Sequence, residues 1–268
     1  MIARSKALAQ KVLPSRFYEL ARTVKNWGYA GRAREWATGA SILLNSHPRI
    51  PLSDRLRVTR QARRITHGIE CASTDDEALA FMRAILALPP GGPGVVVEAG
   101  CYKGGATAKF SLAAKIAGRQ LVVFDSFRGI PSNTEAHDRN IFGGQARFAE
   151  GDYRGSLAEV RENVSTYGAI DSCRFVEGWF EDTLPHFKEP ISAIYLDVDL
   201  VSSTRTCLKY LYPLLEPGGT LLSQDGHLPL VIELLDDDRF WRDELDCRKP
   251  QIHGLRKKRL IRIVKPLA

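Results

Sequence analysis

Residues 95–107 read VVVEAGCYKGGAT, and the order of residue types in that stretch decides the fold. Val95, Val96 and Val97 open an apolar run that continues through Ala99, with the length and β-branching of a strand covered on both faces. Gly100, Gly104 and Gly105 then form a glycine-rich turn, and a helix-compatible stretch runs over 104–117. A buried strand feeding a helix through such a turn begins a βαβ unit.

The same alternation repeats downstream. Strand-like runs stand at 121–125 (LVVFD), 173–178 (CRFVEG), 193–199 (AIYLDVD) and 220–225 (TLLSQD). Helix-compatible segments lie between them at 156–167, 203–215 and 228–243, the first opening with the capping box Ser156-Leu-Ala-Glu159. Upstream, Thr74 with Glu77 three residues on begins a helix whose apolar face carries Leu79, Met82, Ile85 and Leu86. At the far end, 251–255 and 259–265 flank a basic turn and read as an antiparallel hairpin. The sequence therefore predicts an α/β, Rossmann-like, doubly wound, mostly parallel sheet closed by a C-terminal antiparallel hairpin.

Composition agrees with one such domain plus an appendage. A chain of 268 residues, 44% apolar, buries one full α/β core. Its net charge of +7 is unevenly spread: residues 1–70 hold 14 Lys/Arg against 4 Asp/Glu, and residues 71–268 hold 24 against 27. We divide the chain there, into a basic helical extension at 1–70 and a main domain at 71–268. The extension is expected to form short helices broken at Pro14, at Gly28–Gly31 and at 47–53, with Leu8, Val12 and Phe17 at helical spacing. It would pack on the main domain or on a second copy in a homo-oligomer. Its charge reads as a solvated face or as a surface for RNA, anionic lipid or an acidic partner. Without interleaved aromatics or an RNA-binding module, the sequence argues against nucleic acid. Five scattered cysteines without C-x-x-C spacing, no leader-like segment and no apolar run of membrane length point to a reducing cytoplasm and to no membrane partner.

In parallel sheets of this kind ligands lie beyond the carboxyl ends of the strands, so the residues there carry the functional reading. The first turn offers Glu98, Ala99, Gly100, Tyr102, Gly104 and Thr107, with backbone amides able to meet a carboxylate; its spacing is not the G-x-G-x-x-G of dinucleotide enzymes. Asp125 ends the second strand where a carboxylate can accept both hydroxyls of a ribose, its competing role being a helix N-cap beside Ser126. Glu177, Gly178, Trp179 and Phe180 end the third and would give an adenine an acceptor and an aromatic wall, unless Trp179 is plain core. Asp197 and Asp199 follow the fourth, and Asp225, Gly226 and His227 the fifth. Adjacent strand ends lie about 5 Å apart, so Asp197 and Asp225 could hold one divalent cation, with magnesium suited to hard oxygen ligands. The alternative is that one caps a helix and the other faces water. Residues 126–154 are long and mixed in character, as an active-site lid would be, with His137 and Asp138 able to face a substrate.

Five blocks, EAGCYKGGAT (98–107), FDSFRGIP (124–131), EGWFEDTLP (177–185), LDVDLVSST (196–204) and LYPLLEPGGTLLSQD (211–225), together resemble the macrocin O-methyltransferase family. The resemblance implies a class I methyltransferase fold and methylation of a hydroxyl on a small polar or glycosylated metabolite in natural product biosynthesis. It implies S-adenosyl-L-methionine bound by Glu98, Gly100, Asp125, Ser126 and the 177–180 stretch, and magnesium at Asp197 and an acidic pair after the fifth strand. Here the second acid of that pair is Gly226, so Asp199 or His227 would complete the site, or His227 would act as a general base without metal. A binding module that kept the cofactor cleft and lost its metal is the non-catalytic alternative. The family's usual aromatic after the fourth strand's acids is replaced by Val201.

Overall fold

The computed structural model describes residues 39–72 and 74–267. After helical residues 39–45, its elements are α1 (Leu52–Gly68), α2 (Asp75–Ala87), β1 (Val95–Ala99), α3 (Gly105–Ile116), β2 (Leu121–Asp125), α4 (Leu157–Tyr167), β3 (Cys173–Glu177), the single turn α5 (Phe180–Thr183), β4 (Ile191–Leu196), α6 (Val201–Leu211), β5 (Leu215–Ser223), α7 (Pro229–Asp236), β6 (Ile252–His253) and β7 (Ile261–Val264). One sheet runs in the order β3-β2-β1-β4-β5-β7-β6. The strands from β1 to β5 are parallel, and β7 lies antiparallel to both β5 and β6.

The strands lack a polar face because helices cover both sides of the sheet. On one side Val96, Val123, Ala193 and Tyr195 meet Phe81, Met82 and Phe110; on the other Val97, Val122, Phe124 and Leu196 meet Leu208, Leu211 and Trp241. Phe81, Phe110 and Tyr195 form a ring cluster with centroids 4.8–5.2 Å apart, joining α2, α3 and β4. This period-two alternation places Glu98 with Val96, on the α2–α3 side.

Local signals explain several boundaries. Ser156 accepts the Glu159 amide (3.2 Å) and caps α4 as expected. The chain breaks between 45 and 52, where Arg55 donates to the carbonyls of Leu43 (2.8 Å), His47 (3.1 Å) and Ile50 (2.9 Å). Val58, Ala62 and Ile65 of α1, with Ile42 and Ile50, are buried in the same cluster as Phe81 and Phe110, so this part of the basic segment covers α3. The breaks expected at Pro14 and Gly28–Gly31 lie outside the described residues.

Two helices differ from expectation. The one predicted over 203–215 starts at Val201, because the Glu135 carboxylate accepts the Val201 and Ser202 amides (2.7 and 2.9 Å) and fixes the first turn. The one predicted over 228–243 stops at Asp236; the chain extends at Asp237 and forms a π-helical turn over Phe240–Glu244. That interruption drives Phe240 and Trp241 into the core, where the Trp241 indole donates to the Leu235 carbonyl (2.8 Å). Among the described residues no helix is long and apolar enough to cross a membrane.

Phe81 is fully buried at the point where α2, α3 and β4 meet. Phe81→Ala should lower unfolding free energy by ~3–5 kcal/mol, measured as a shift of the urea midpoint with an unchanged slope.

Candidate active site

β1 has β2 on one side and β4 on the other, so the crossovers leave β1 in opposite directions and a crevice opens above β1 and β4. A cleft is found there, as the switch point of such a sheet leads one to expect. Gly100, Tyr102, Asp125, Ser126, Gly178, Trp179, Phe180, Asp197 and Asp199 line it.

Gly100 holds the two halves together. Its φ is +83°, and a Cβ on it would stand 2.0 Å from the Asp197 carbonyl oxygen, so only glycine lets the β4 loop come this close. The Asp197 amide donates to the Ala99 carbonyl across the same gap (3.0 Å).

At one end, Asp125 accepts the Cys101 amide on Oδ2 and the Phe127 amide on Oδ1, both at 2.7 Å. Each oxygen keeps a further lone pair, so the oriented carboxylate can accept two vicinal hydroxyls. Burial pushes its pKa up, and those amide bonds oppose the shift. Ser126 accepts the Arg128 amide (3.1 Å) and donates to the Gly129 carbonyl (3.2 Å), which shapes the adjoining turn. Tyr102, at φ +50°, donates to Glu70 (3.1 Å), and Lys103 pairs with the other Glu70 oxygen (2.6 Å). Glu70, Cys71 and Ala72 thereby form part of the cleft wall.

At the opposite end Asp197, Asp199 and Asp225 each present an oxygen within 4.8 Å of the others. Asp225 is fully buried; its Oδ2 accepts the Val198 and Asp199 amides (3.1 and 3.2 Å), and its Oδ1 has no hydrogen-bond partner among the described residues. Burial raises the pKa of Asp225 to about 6. Burial, then the charges of Asp225 and Asp199, raise that of Asp197. Asp199 sits at φ +59°, a strained setting for a non-glycine residue. Three convergent carboxylates, one with an unpartnered buried oxygen, fit a hard divalent cation.

The other expected residues lie elsewhere. Glu98, Ala99, Gly104, Thr107 and Glu177 do not line the cleft. Glu98 and Thr107 are buried on the α3 side of the sheet, Ala99 is buried on the opposite face, Gly104 packs against Val160, and Glu177 points to solvent. His227 is buried outside the lining, its Nδ1 3.2 Å from the Gln224 carbonyl, which can only accept a proton. Within 126–154, His137 is buried against Phe148 and bonded to Glu135 (2.9 Å), and Asp138 is exposed beside Arg147. Burial alone would raise the Glu135 pKa, but hydrogen bonds from Ser202, His137 and Val201 hold it below the ordinary value.

Sequence reasoning missed Tyr153, Ser203, Gln224 and Arg259, which also line the cleft. Arg259 belongs to the basic turn before β7, where nothing in the one-dimensional pattern separates it from its exposed neighbours Lys257 and Lys258.

A sheet of this order, with its crevice above β1 and β4 and an acid ending β2, defines a class I methyltransferase fold. The chain belongs to the macrocin O-methyltransferase family: the model described as Macrocin-O-methyltransferase (TylF) matches residues 82–244, more than half of its length. It is similar to the mycinamicin III 3''-O-methyltransferase of Micromonospora griseorubida, 36% identical over 160 residues that are 57% of this chain and 63% of that protein. A second relative, from Streptomyces olivaceus, is 8-demethyl-8-(2,3-dimethoxy-alpha-L-rhamnosyl)-tetracenomycin-C 4'-O-methyltransferase, 36% identical over 57% of this chain and 60% of that protein. The chain thus matches less than two thirds of the length of these relatives. Among solved structures, the O-methyltransferase NovP superposes with a TM-score of 0.53 at 25% identity, covering 78% of this chain and 79% of its own.

Glu98 is fully enclosed and neither oxygen has a hydrogen-bond partner among the described residues. Burial raises its pKa from 4.5 to about 8. The folded state therefore holds this proton where the unfolded chain has released it, and stability falls as pH rises through that window. Relative to Glu98→Gln, the wild type should lose denaturation midpoint between pH 5 and pH 8, and a constant difference between the two proteins would contradict the assignment.

Proposed function

We propose that this chain is an S-adenosyl-L-methionine-dependent O-methyltransferase acting on a hydroxyl of a small, sugar-containing metabolite. The observation that carries the reading is the pairing, in one cleft, of the oriented Asp125 carboxylate at one end with the Asp197, Asp199 and Asp225 cluster at the other. Family membership supports the same reading, and two relatives are named for methylating sugar-bearing molecules, at a 3'' and a 4' oxygen.

In this mechanism Asp125 accepts the two ribose hydroxyls, with Trp179 and Phe180 beside the adenine. The acceptor hydroxyl lies at the acidic end, in line with the sulfonium methyl. Its oxygen forms the new bond to carbon as the carbon–sulfur bond breaks, leaving a neutral thioether, and its proton passes to the Asp199 carboxylate. Most of the rate then comes from alignment. Asp197 and Asp225, with Asp199, would hold magnesium, which when bound lowers the pKa of a coordinated hydroxyl. The burial of His227 outside the lining of the cleft disfavours the histidine-base alternative.

Residues 1–70 remain in this reading a basic extension to the 71–268 domain, working in the cytoplasm as part of a homo-oligomer. Exposed Leu44, Leu52 and Leu56 on the described part of that extension supply apolar area for self-association.

Isothermal titration should give micromolar binding of S-adenosylhomocysteine, about −8 kcal/mol, weakened by ~1.5–3 kcal/mol in Asp125→Ala. Unchanged affinity in that variant would remove Asp125 from the ribose site. With an acceptor in hand, EDTA should abolish turnover and added magnesium restore it, and Asp197→Asn should reduce kcat far more than cofactor affinity. Cofactor binding with no hydroxyl methylated across sugar-bearing acceptors would favour the non-catalytic module.

A further inference from the structure

The family resemblance implies a second strand-end acid where Gly226 stands, and the structure leaves no room for one. A Cβ at Gly226 would lie 2.3 Å from Ile261 Cγ2 and 2.9 Å from the Arg259 carbonyl oxygen, while the Gly226 amide donates to that same carbonyl (3.0 Å). The turn leading into β7 is packed onto this position and leaves no room for a side chain.

The same turn carries a charge into the cleft. Arg259 Nη2 donates to Gln224 Oε1 (3.1 Å), its Nε lies 3.7 Å from Glu77 Oε1, and Gln224 Nε2 donates to the other Glu77 oxygen (2.9 Å). Glu77 and Gln224 are buried, so the guanidinium is held by α2 and the end of β5 rather than left on a mobile stem. Held there, it lines the same cleft as Asp197 and Asp199, and its anchor Gln224 immediately precedes Asp225 in the chain. Arginine keeps its proton under all conditions in which the protein folds, so this cation is permanent.

We propose that Arg259 is a built-in counter-ion of the acidic cluster, occupying the flank of the missing acid and setting a low affinity for the divalent cation; this rests on the cation reading of Asp197, Asp199 and Asp225. An entering metal ion meets two opposing effects, three converging carboxylates and one fixed like charge. Removing the guanidinium leaves the carboxylates in place and deletes the repulsion.

The test uses the full chain with manganese alone, followed by loss of the free aqua-ion signal in electron paramagnetic resonance. Arg259→Gln and Arg259→Met should bind manganese at least about tenfold more tightly than wild type, the effect expected from deleting one nearby like charge, while Arg259→Lys stays close to wild type and Asp197→Asn binds more weakly. Gly226→Asp should lower the melting temperature and gain no affinity. Folded neutral variants with wild-type affinity would overturn the proposal and leave the cation site standing. Affinity indifferent to Asp197→Asn would overturn both. If only Arg259→Lys folds, Arg259 is a structural partner of Glu77 and the proposal fails. A stable Gly226→Asp that binds manganese more tightly would also sink it, because the flank would then be vacant.

Discussion

The contact at Gly100 is the constraint from which the rest of the site follows. Two parallel strands reach the switch point of the sheet and their exits touch, backbone to backbone, with the Asp197 carbonyl where any other residue would carry a Cβ. This closeness sets Cys101 so that its amide meets Asp125 on one side, and sets Asp197 beside Asp225 on the other. The placement of Asp125 and the acidic cluster are thus two consequences of one backbone approach. A side chain at residue 100 would separate them together rather than damage either alone.

Charge in this cleft is managed by enclosure as much as by pairing. Asp225 spends one oxygen on two backbone amides, which orients the other. Glu77 does double duty, accepting the Thr74 amide at the start of α2 (3.2 Å) and the Gln224 side chain from β5. Through Glu77 the helix that precedes the sheet is wired to the hairpin that closes it. Elements far apart in the chain therefore share one buried polar network, of the kind whose members are not independent when altered.

Much of the fold was legible because both-face burial forces a simple code. LVVFD and VVVEAG are apolar at nearly every position, and an apolar run of five or six residues bounded by glycine or acid has few other meanings. Strand-end acids were legible too, since topology alone carries residues such as Asp125 and Asp197 to one edge. Side-chain direction was harder to read. Glu98 was read as a ligand because it precedes the turn, yet its parity with Val96 turns it into the α2–α3 layer. His227 was adjacent to the acidic cluster in sequence, and in space it is buried outside the lining of the cleft with Nδ1 at the Gln224 carbonyl. The break at Asp237 had no glycine or proline to announce it; the burial of Phe240 and Trp241 against α6 and α7 overrode helical continuity.

The long loop after β2 has a closed neck. Ile130 donates to the Asp152 carbonyl (2.8 Å) and Gly151 returns a bond to the Ile130 carbonyl (2.9 Å), while further along Glu135 grips the first turn of α6 and the Ile141 amide leans on the His227 carbonyl (3.0 Å). Just past the last of these anchors the Phe142 side chain projects into solvent. Once a neck is tied, lengthening or rewriting the tip costs little in closure entropy and leaves the frame beneath undisturbed. The architecture thereby gives the loop a fixed neck and a free tip, so that a change of sequence at Phe142 would reshape the surface there while leaving the Gly100 contact and the acidic cluster where they are.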